Sequence, residues 1–132
     1  TRAETDRLMA ATDPDAVHLL LDTGHLYWAG DDPLAMARDY AARIRHVHLK
    51  DIRHDVMVRC NERHLSFGES VMEGVFTVPG DGTIDFAPIF RALGEAGYAG
   101  WLMVEAEQDA AKANPLDYAR KARAYIRDTA GV

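Results

Sequence analysis

The sequence predicts an α/β fold: about three βα units from the C-terminal portion of a TIM (β/α)8 barrel, incomplete at 132 residues. Three observations carry that expectation. Short apolar runs alternate with stretches of helical periodicity, the order expected of a parallel sheet with crossover helices. Each apolar run ends abruptly in polar residues, and barrel and open α/β enzymes place their chemistry at those strand ends. A full eight-unit barrel needs about 250 residues, so this length covers about the last three strands and the helix before them. The functional unit is expected to include more polypeptide.

Residues 1–12 read as the end of a helix, and Asp13-Pro14 offers an N-cap and first-turn proline for one more short turn. Val17-His18-Leu19-Leu20-Leu21 is a nearly continuous apolar run ended by Asp22-Thr23-Gly24-His25, as suits a parallel strand covered on both faces. Asp32-Pro33 opens a helix expected to reach Ile44, with Leu34, Ala37, Ala41 and Ile44 on one stripe. From Ile44 to Lys50 the residues alternate. His46, His48 and Lys50 therefore share one face of a strand, and Val47 and Leu49 share the other.

Residues 52–75 mix charges with Val56, Val58, Leu65, Phe67 and Val71, and predict an excursion with one or two short helices. Long βα connections of this kind are often functional. Pro79-Gly80-Asp81-Gly82 is a turn with a structural role. Asp85 caps a helix whose apolar face is Phe86, Ile89, Phe90 and Leu93, ended by Gly97. Gly100 to Glu105 forms the third strand, with Trp101 expected in the core and Glu105 and Glu107 on one face. Asn114-Pro115 starts a last helix through Tyr125-Ile126, whose Arg120, Lys121 and Arg123 face water or the negative end of the dipole.

The composition, 48% hydrophobic and 27% charged, is that of one globular unit. With 21 acidic against 15 basic residues and no run of Lys or Arg, nucleic acid is a poor candidate partner. Cys60 is the only cysteine, which precludes an internal disulfide and is compatible with a reducing compartment. It is expected to be inert, since nothing near it in sequence lowers its pKa. No secretory or membrane-spanning segment is apparent, so a cytoplasmic protein without a membrane partner is expected.

Asp22, His48 and Glu105 each end a different strand, and neighbouring strands lie about 4.8 Å apart. Side chains at matched heights then converge on one divalent ion. Carboxylates with an imidazole suit a borderline or hard divalent ion such as Mn²⁺, Co²⁺ or Mg²⁺, and the lack of thiolates argues against structural zinc. A plainer reading makes Asp22 a cap for the following turn and His48 an interior histidine. Against it stands the shared face of His46, His48 and Lys50, three groups costly to bury without the carboxylates of Glu105 and Glu107. An ion-pair cluster without metal stays open at this point. His25 is placed to reach substrate from the loop, and Trp28 is expected to line the mouth of the site, where an aromatic face packs on a sugar ring.

Together, LLLDTGHLYWAGDDPL, RIRHVHLKD, GVFTVPGDGTIDF and GYAGWLMVEAEQDAAKANPLDYARKA resemble the C-terminal half of the inosose dehydratases, lyases of myo-inositol catabolism in the xylose isomerase-like barrel superfamily. The resemblance covers nearly all of residues 17–128 and implies that residues 1–132 are the C-terminal part of one such barrel domain. It implies a divalent ion held by Glu, Asp, His and Glu, three of which fall on Asp22, His48 and Glu105. Glu107 rivals Glu105, and the first Glu would lie on a strand before Thr1. The implied reaction is dehydration of scyllo-inosose to a trihydroxycyclohexane dione with Mn²⁺ or Co²⁺, and with glutathione in some members. His25 and Lys50 are then the candidates for proton transfer, and His46, Trp28 and Glu107 for binding a cyclic polyol ketone.

Isomerases and epimerases of hydroxypyruvate or ketose type would use the same metal and the same loss of an α-proton, so the residues leave isomerisation open. A DNA-repair endonuclease of the superfamily needs a basic face, which the net charge of -6 disfavours. A third reading makes the chain a truncated, catalytically incompetent fragment, active only with the missing N-terminal half of the barrel or as a homo-oligomer.

Overall fold

A computed structural model describes residues 1–132. Helix α1 (Arg2–Ala10) is followed by strand β1 (Leu19–Asp22), helices α2 (Thr23–Trp28) and α3 (Pro33–Asp39), and strand β2 (Ile44–Leu49). An excursion then runs through β3 (Asp51–Ile52), α4 (His54–Glu62), α5 (Phe67–Glu73) and β4 (Phe76–Thr77). Helix α6 (Phe86–Glu95), strand β5 (Leu102–Val104) and helix α7 (Pro115–Ala130) complete the order. No helix is long and apolar enough to cross a membrane.

Strands β1, β2 and β5 form a parallel sheet in that order, with Asp22 opposite His48 and His48 opposite Met103. This is the expected βα alternation, in an open sheet of three strands. Its two faces differ sharply. Leu21, Val47 and Leu49 point toward the helices with no solvent exposure and join Phe86, Ile89 and Leu93 of α6 in the core. On the other face Leu20 and Met103 are 46% and 45% exposed, flanking the histidines of β2. Burying an apolar side chain is worth about 1.5–3 kcal/mol, so the first face holds these strands together and the second is uncovered.

The helix ends follow their signals. Asp32 Oδ1 accepts from Leu34 N, Asp85 Oδ1 from Ala87 N, and Asn114 Oδ1 from Leu116 N, each supplying a partner to an otherwise orphaned first-turn amide. All four residues expected on the apolar face of α6 are buried.

The short turn expected at Asp13-Pro14 is present: Asp13 Oδ1 accepts from Asp15 N and its carbonyl from Val17 N, both at 2.9 Å. Three details differ from expectation. Helix α3 stops at Asp39 instead of running to Ile44, because Tyr40 leaves helical geometry (φ -108°, ψ 15°) and donates its hydroxyl to Asp6 Oδ1 at 2.6 Å. A single 3₁₀ turn, Ala41–Arg43, bridges to β2. Trp101 is 78% exposed and not in the core, since it precedes the edge strand β5, whose outer side has no neighbour. The third is the two-residue antiparallel ladder of β3 and β4, which clasps the excursion at its ends.

Asp51 in β3 holds the turn at residues 79–82. Its carboxylate accepts from the backbone N–H groups of Ile52, Gly80, Gly82 and Ile84 at 2.8–3.2 Å. Burial raises the Asp51 carboxyl above its ordinary value, with the four amides opposing it. A Cβ on Gly82 would come within 2.5 Å of Ile52 O, so only glycine lets this backbone approach.

Candidate metal centre

Each residue of the Asp-Thr-Gly-His run at the end of β1 has its own task. Asp22 is both the last strand residue and the N-cap of α2. Its Oδ1 accepts from His25 N at 2.9 Å, which fixes the carboxylate and leaves Oδ2 to face the site. Thr23, fully buried, ties β1 to β2: its hydroxyl donates to Lys50 O at 2.6 Å and accepts from Lys50 N at 3.2 Å. Gly24 makes room for the Lys50 stem, because a Cβ there would lie 2.6 Å from Lys50 Cγ. His25 projects its ring back over the strand ends.

His48 Nδ1 stands 3.6 Å from Asp22 Oδ2 and 3.5 Å from Glu105 Oε2. One ligand atom from each of Asp22, His48 and Glu105 falls in a group whose members all lie within 4.8 Å of one another. Two ligands each about 2.1 Å from a shared ion at tetrahedral or octahedral angles sit roughly 3.0–3.4 Å apart. The observed spacing is close to that, and slightly too long for strong hydrogen bonds among the three. Two carboxylates and an imidazole, half-buried and convergent, fit Mn²⁺, Co²⁺ or Mg²⁺.

Beside this group sits Lys50, with no solvent exposure at all. Its ammonium lies 2.8 Å from Glu105 Oε2, 2.7 Å from Glu107 Oε2 and 3.7 Å from Asp22 Oδ2. It also meets His25 Nε2 at 2.9 Å and stands over the Phe76 ring, 5.1 Å from its centroid. Three carboxylates thus face one fixed cation, an excess of negative charge that a divalent ion would balance.

Glu105 and Glu107 take different places. Strand β5 ends at Val104, and Glu107 adopts a left-handed backbone conformation (φ 36°) that breaks the alternation. Glu105 closes the group with Asp22 and His48, whereas Glu107 accepts from Lys50 and lies 2.9 Å from His25 Nε2. Burial works to raise the Glu107 carboxyl, but hydrogen bonds from Lys50 and His25 outweigh it and hold the group below the ordinary carboxylate value. A non-glycine residue at positive φ stores strain that is commonly found at functional sites.

His46 lies one pleat behind His48, with ring centroids 5.1 Å apart, and touches neither carboxylate of the group. Trp28 packs against Phe67 and Phe76 at 6.0 and 5.8 Å, one layer out from the ligand atoms. No pattern in the sequence places Phe67 or Phe76 near the site. Both come from the excursion and reach His25, at 6.0 and 5.3 Å between centroids. Cys60 is a buried free thiol in α4, part of the hydrophobic core.

An open β1-β2-β5 parallel sheet backed by helices, with its polar groups at the strand ends, is what one sector of a barrel enzyme provides. Residues 1–129 match the family described as xylose isomerase-like TIM barrel, and the chain belongs to that family. Among curated relatives it is similar to inosose dehydratases of Clostridium tetani (strain Massachusetts / E88), at 56% identity over 132 residues, and of Geobacillus thermodenitrificans (strain NG80-2), at 58% over 132 residues. Each alignment takes in all of this chain and 44% of the relative, so the chain spans less than half the length of the proteins it matches. A solved sugar phosphate isomerase/epimerase from Parabacteroides distasonis ATCC 8503 shares the fold, with a TM-score of 0.67 at 23% identity over 93% of this chain and 35% of that one.

Proposed function

We propose that the protein containing this chain is a metal-dependent carbon-oxygen lyase that dehydrates scyllo-inosose to a trihydroxycyclohexane dione. The observation that carries the reading is the convergence of Asp22, His48 and Glu105 beside a wholly buried lysine, in a chain more than half identical to inosose dehydratases. Residues 1–132 are then the C-terminal part of a single barrel domain. The rest of the protein supplies the other strands and a fourth, carboxylate ligand. Catalysis belongs to that complete protein, which we place in the cytoplasm.

Asp22, His48 and Glu105 hold the ion, here Mn²⁺ or Co²⁺. When bound, a divalent ion supplies Lewis-acid stabilisation to the negative charge that develops on a ketone oxygen as the neighbouring C–H is deprotonated. Dehydration needs, besides that, a base for the α-proton and an acid for the departing hydroxyl. His25 and Lys50 are the proton-transfer groups. The His25 ring is partly exposed and linked through Nε2 to both Lys50 and Glu107. A proton taken by His25 therefore has an adjacent carboxylate to stabilise it. Glu107 orients both groups, and His46 and Trp28 contribute to the walls around the substrate.

The test is a product assay of the complete protein with Mn²⁺. Turnover of scyllo-inosose with release of water and formation of the dione is expected. Conversion of hydroxypyruvate or a ketose to its isomer, without dehydration of the inosose, would replace the lyase reading by an isomerase.

A further inference from the structure

Phe67 is a large aromatic residue left 44% exposed at the first position of α5. The start of α5 is held by Ser66 and Glu69: Ser66 N and Oγ both donate to Glu69 Oε2, at 2.8 and 2.6 Å, and Glu69 N donates back to Ser66 Oγ. Its end is fixed by Gly74 in the left-handed conformation, whose carbonyl accepts from Arg53 Nη1 at 2.6 Å, and Lys112 Nζ donates to Met72 O. The helix is therefore anchored at both ends, and the exposed ring is held in a defined place.

That place is the rim of the site. The Phe67 ring lies 6.0 Å from His25, 6.0 Å from Trp28 and 5.7 Å from Phe76. Phe76 is fully buried beneath the Lys50 ammonium, so the aromatic layer runs from the buried lysine up to solvent and ends at Phe67. Leu20, Met103 and Trp101 are also exposed, but they lie along the strands and edge of the open sheet rather than beside the proton-transfer pair.

We propose that Phe67 is a substrate-binding residue, the apolar wall that receives the C–H face of the ring of a cyclic polyol ketone while His25, backed by the buried Lys50, faces its polar edge. Equatorial hydroxyls on a cyclohexane polyol put its C–H bonds in axial positions, so the rim of the ring is polar and its faces are apolar, and an aromatic side chain packs well on such a face. This rests on the reading of the site as a sugar-ketone pocket. It goes further by assigning ring recognition to the excursion between β3 and β4.

The experiment compares Phe67→Ala and Phe67→Leu with the wild type in the complete protein, measuring kcat and KM with scyllo-inosose and, by calorimetry, the affinity for myo-inositol as an unreacting probe. An aromatic contact worth about 0.5–1.5 kcal/mol converts to roughly two- to tenfold in affinity. Phe67→Ala is expected to raise KM and weaken myo-inositol binding by that factor with kcat nearly unchanged, and Phe67→Leu to recover part of it. Unchanged KM and unchanged myo-inositol affinity would overturn the assignment, as would a fall in Tm without either change, which would make Phe67 a packing contact with the rest of the polypeptide. If the wild type instead isomerises a ketose and Phe67→Ala raises that KM, the wall stands and the lyase reading fails. If the wild type neither binds nor converts any of these sugars, both fail.

Discussion

Lys50 Nζ lies 2.8 Å from Glu105 Oε2, so a cation with no solvent exposure touches one of the three groups placed to hold a metal. The contact makes the lysine part of the site's charge balance as well as a candidate for proton transfer. Removing one partner of a buried ion pair costs about 3–5 kcal/mol, because the charges left behind stay desolvated.

Lys50→Met is therefore expected to destabilise the complete protein by about 3 kcal/mol in urea denaturation and to abolish turnover. Mn²⁺ should restore more stability to the variant than to the wild type, since Asp22, Glu105 and Glu107 then face one another without the ammonium. Turnover and stability equal to wild type would remove Lys50 from the account.

Gly24 controls where that lysine goes. Its missing Cβ leaves the space taken by Lys50 Cβ, Cγ and Cδ, which a methyl group would meet at 2.6–2.9 Å. Gly24→Ala should cost about 1–3 kcal/mol by overpacking, and a displacement of about 1 Å at the ammonium should lower kcat on the order of a hundredfold. Gly94→Ala in α6, where nothing lies within 4 Å, serves as the control with little effect on either. Equal behaviour of the two variants would contradict the packing argument.

What could be read in advance, and what could not, follows from how far each signal extends along the chain. Asp22, His48 and Glu105 were legible because they close apolar runs at matched strand positions, and the period-2 alternation of β2 put His46, His48 and Lys50 on one face. The same alternation misled beyond Val104: Glu107 sits after a left-handed turn, so its side chain reaches Lys50 and His25 instead of repeating the direction of Glu105. Asp51 escapes such a pattern because β3 and β4 are two residues each, too short for a period, and its four donors come from the next residue, Ile52, and a turn about thirty residues on. Hydrophobicity alone assigns Trp101 to the core, whereas a strand edge without a neighbour leaves it exposed. The aromatic layer of Trp28, Phe67 and Phe76 is a tertiary meeting of two segments about forty residues apart, which no local pattern encodes.

Asp81 gives the pH dependence. Burial works to raise its carboxyl, but hydrogen bonds from Lys121, Thr77 and Arg53 hold it below the ordinary 3.8. A carboxyl depressed in the folded state stabilises it above 3.8, and that contribution is lost as pH falls through the lower folded value. Asp81→Asn should therefore lower Tm at neutral pH, with the gap to wild type closing only below about pH 4. A gap that is constant down to the acid transition would mean that the charge of Asp81 does not contribute.

The central claim is that Asp22, His48 and Glu105, and not Glu107, hold the metal. Titrating the complete protein with Mn²⁺, followed by electron paramagnetic resonance, in wild type, Glu105→Gln and Glu107→Gln tests it most directly. Glu105→Gln is expected to weaken binding about a hundredfold or more, and Glu107→Gln by no more than about tenfold, the loss of one nearby charge. Wild-type affinity in Glu105→Gln together with a collapse in Glu107→Gln would contradict the assignment.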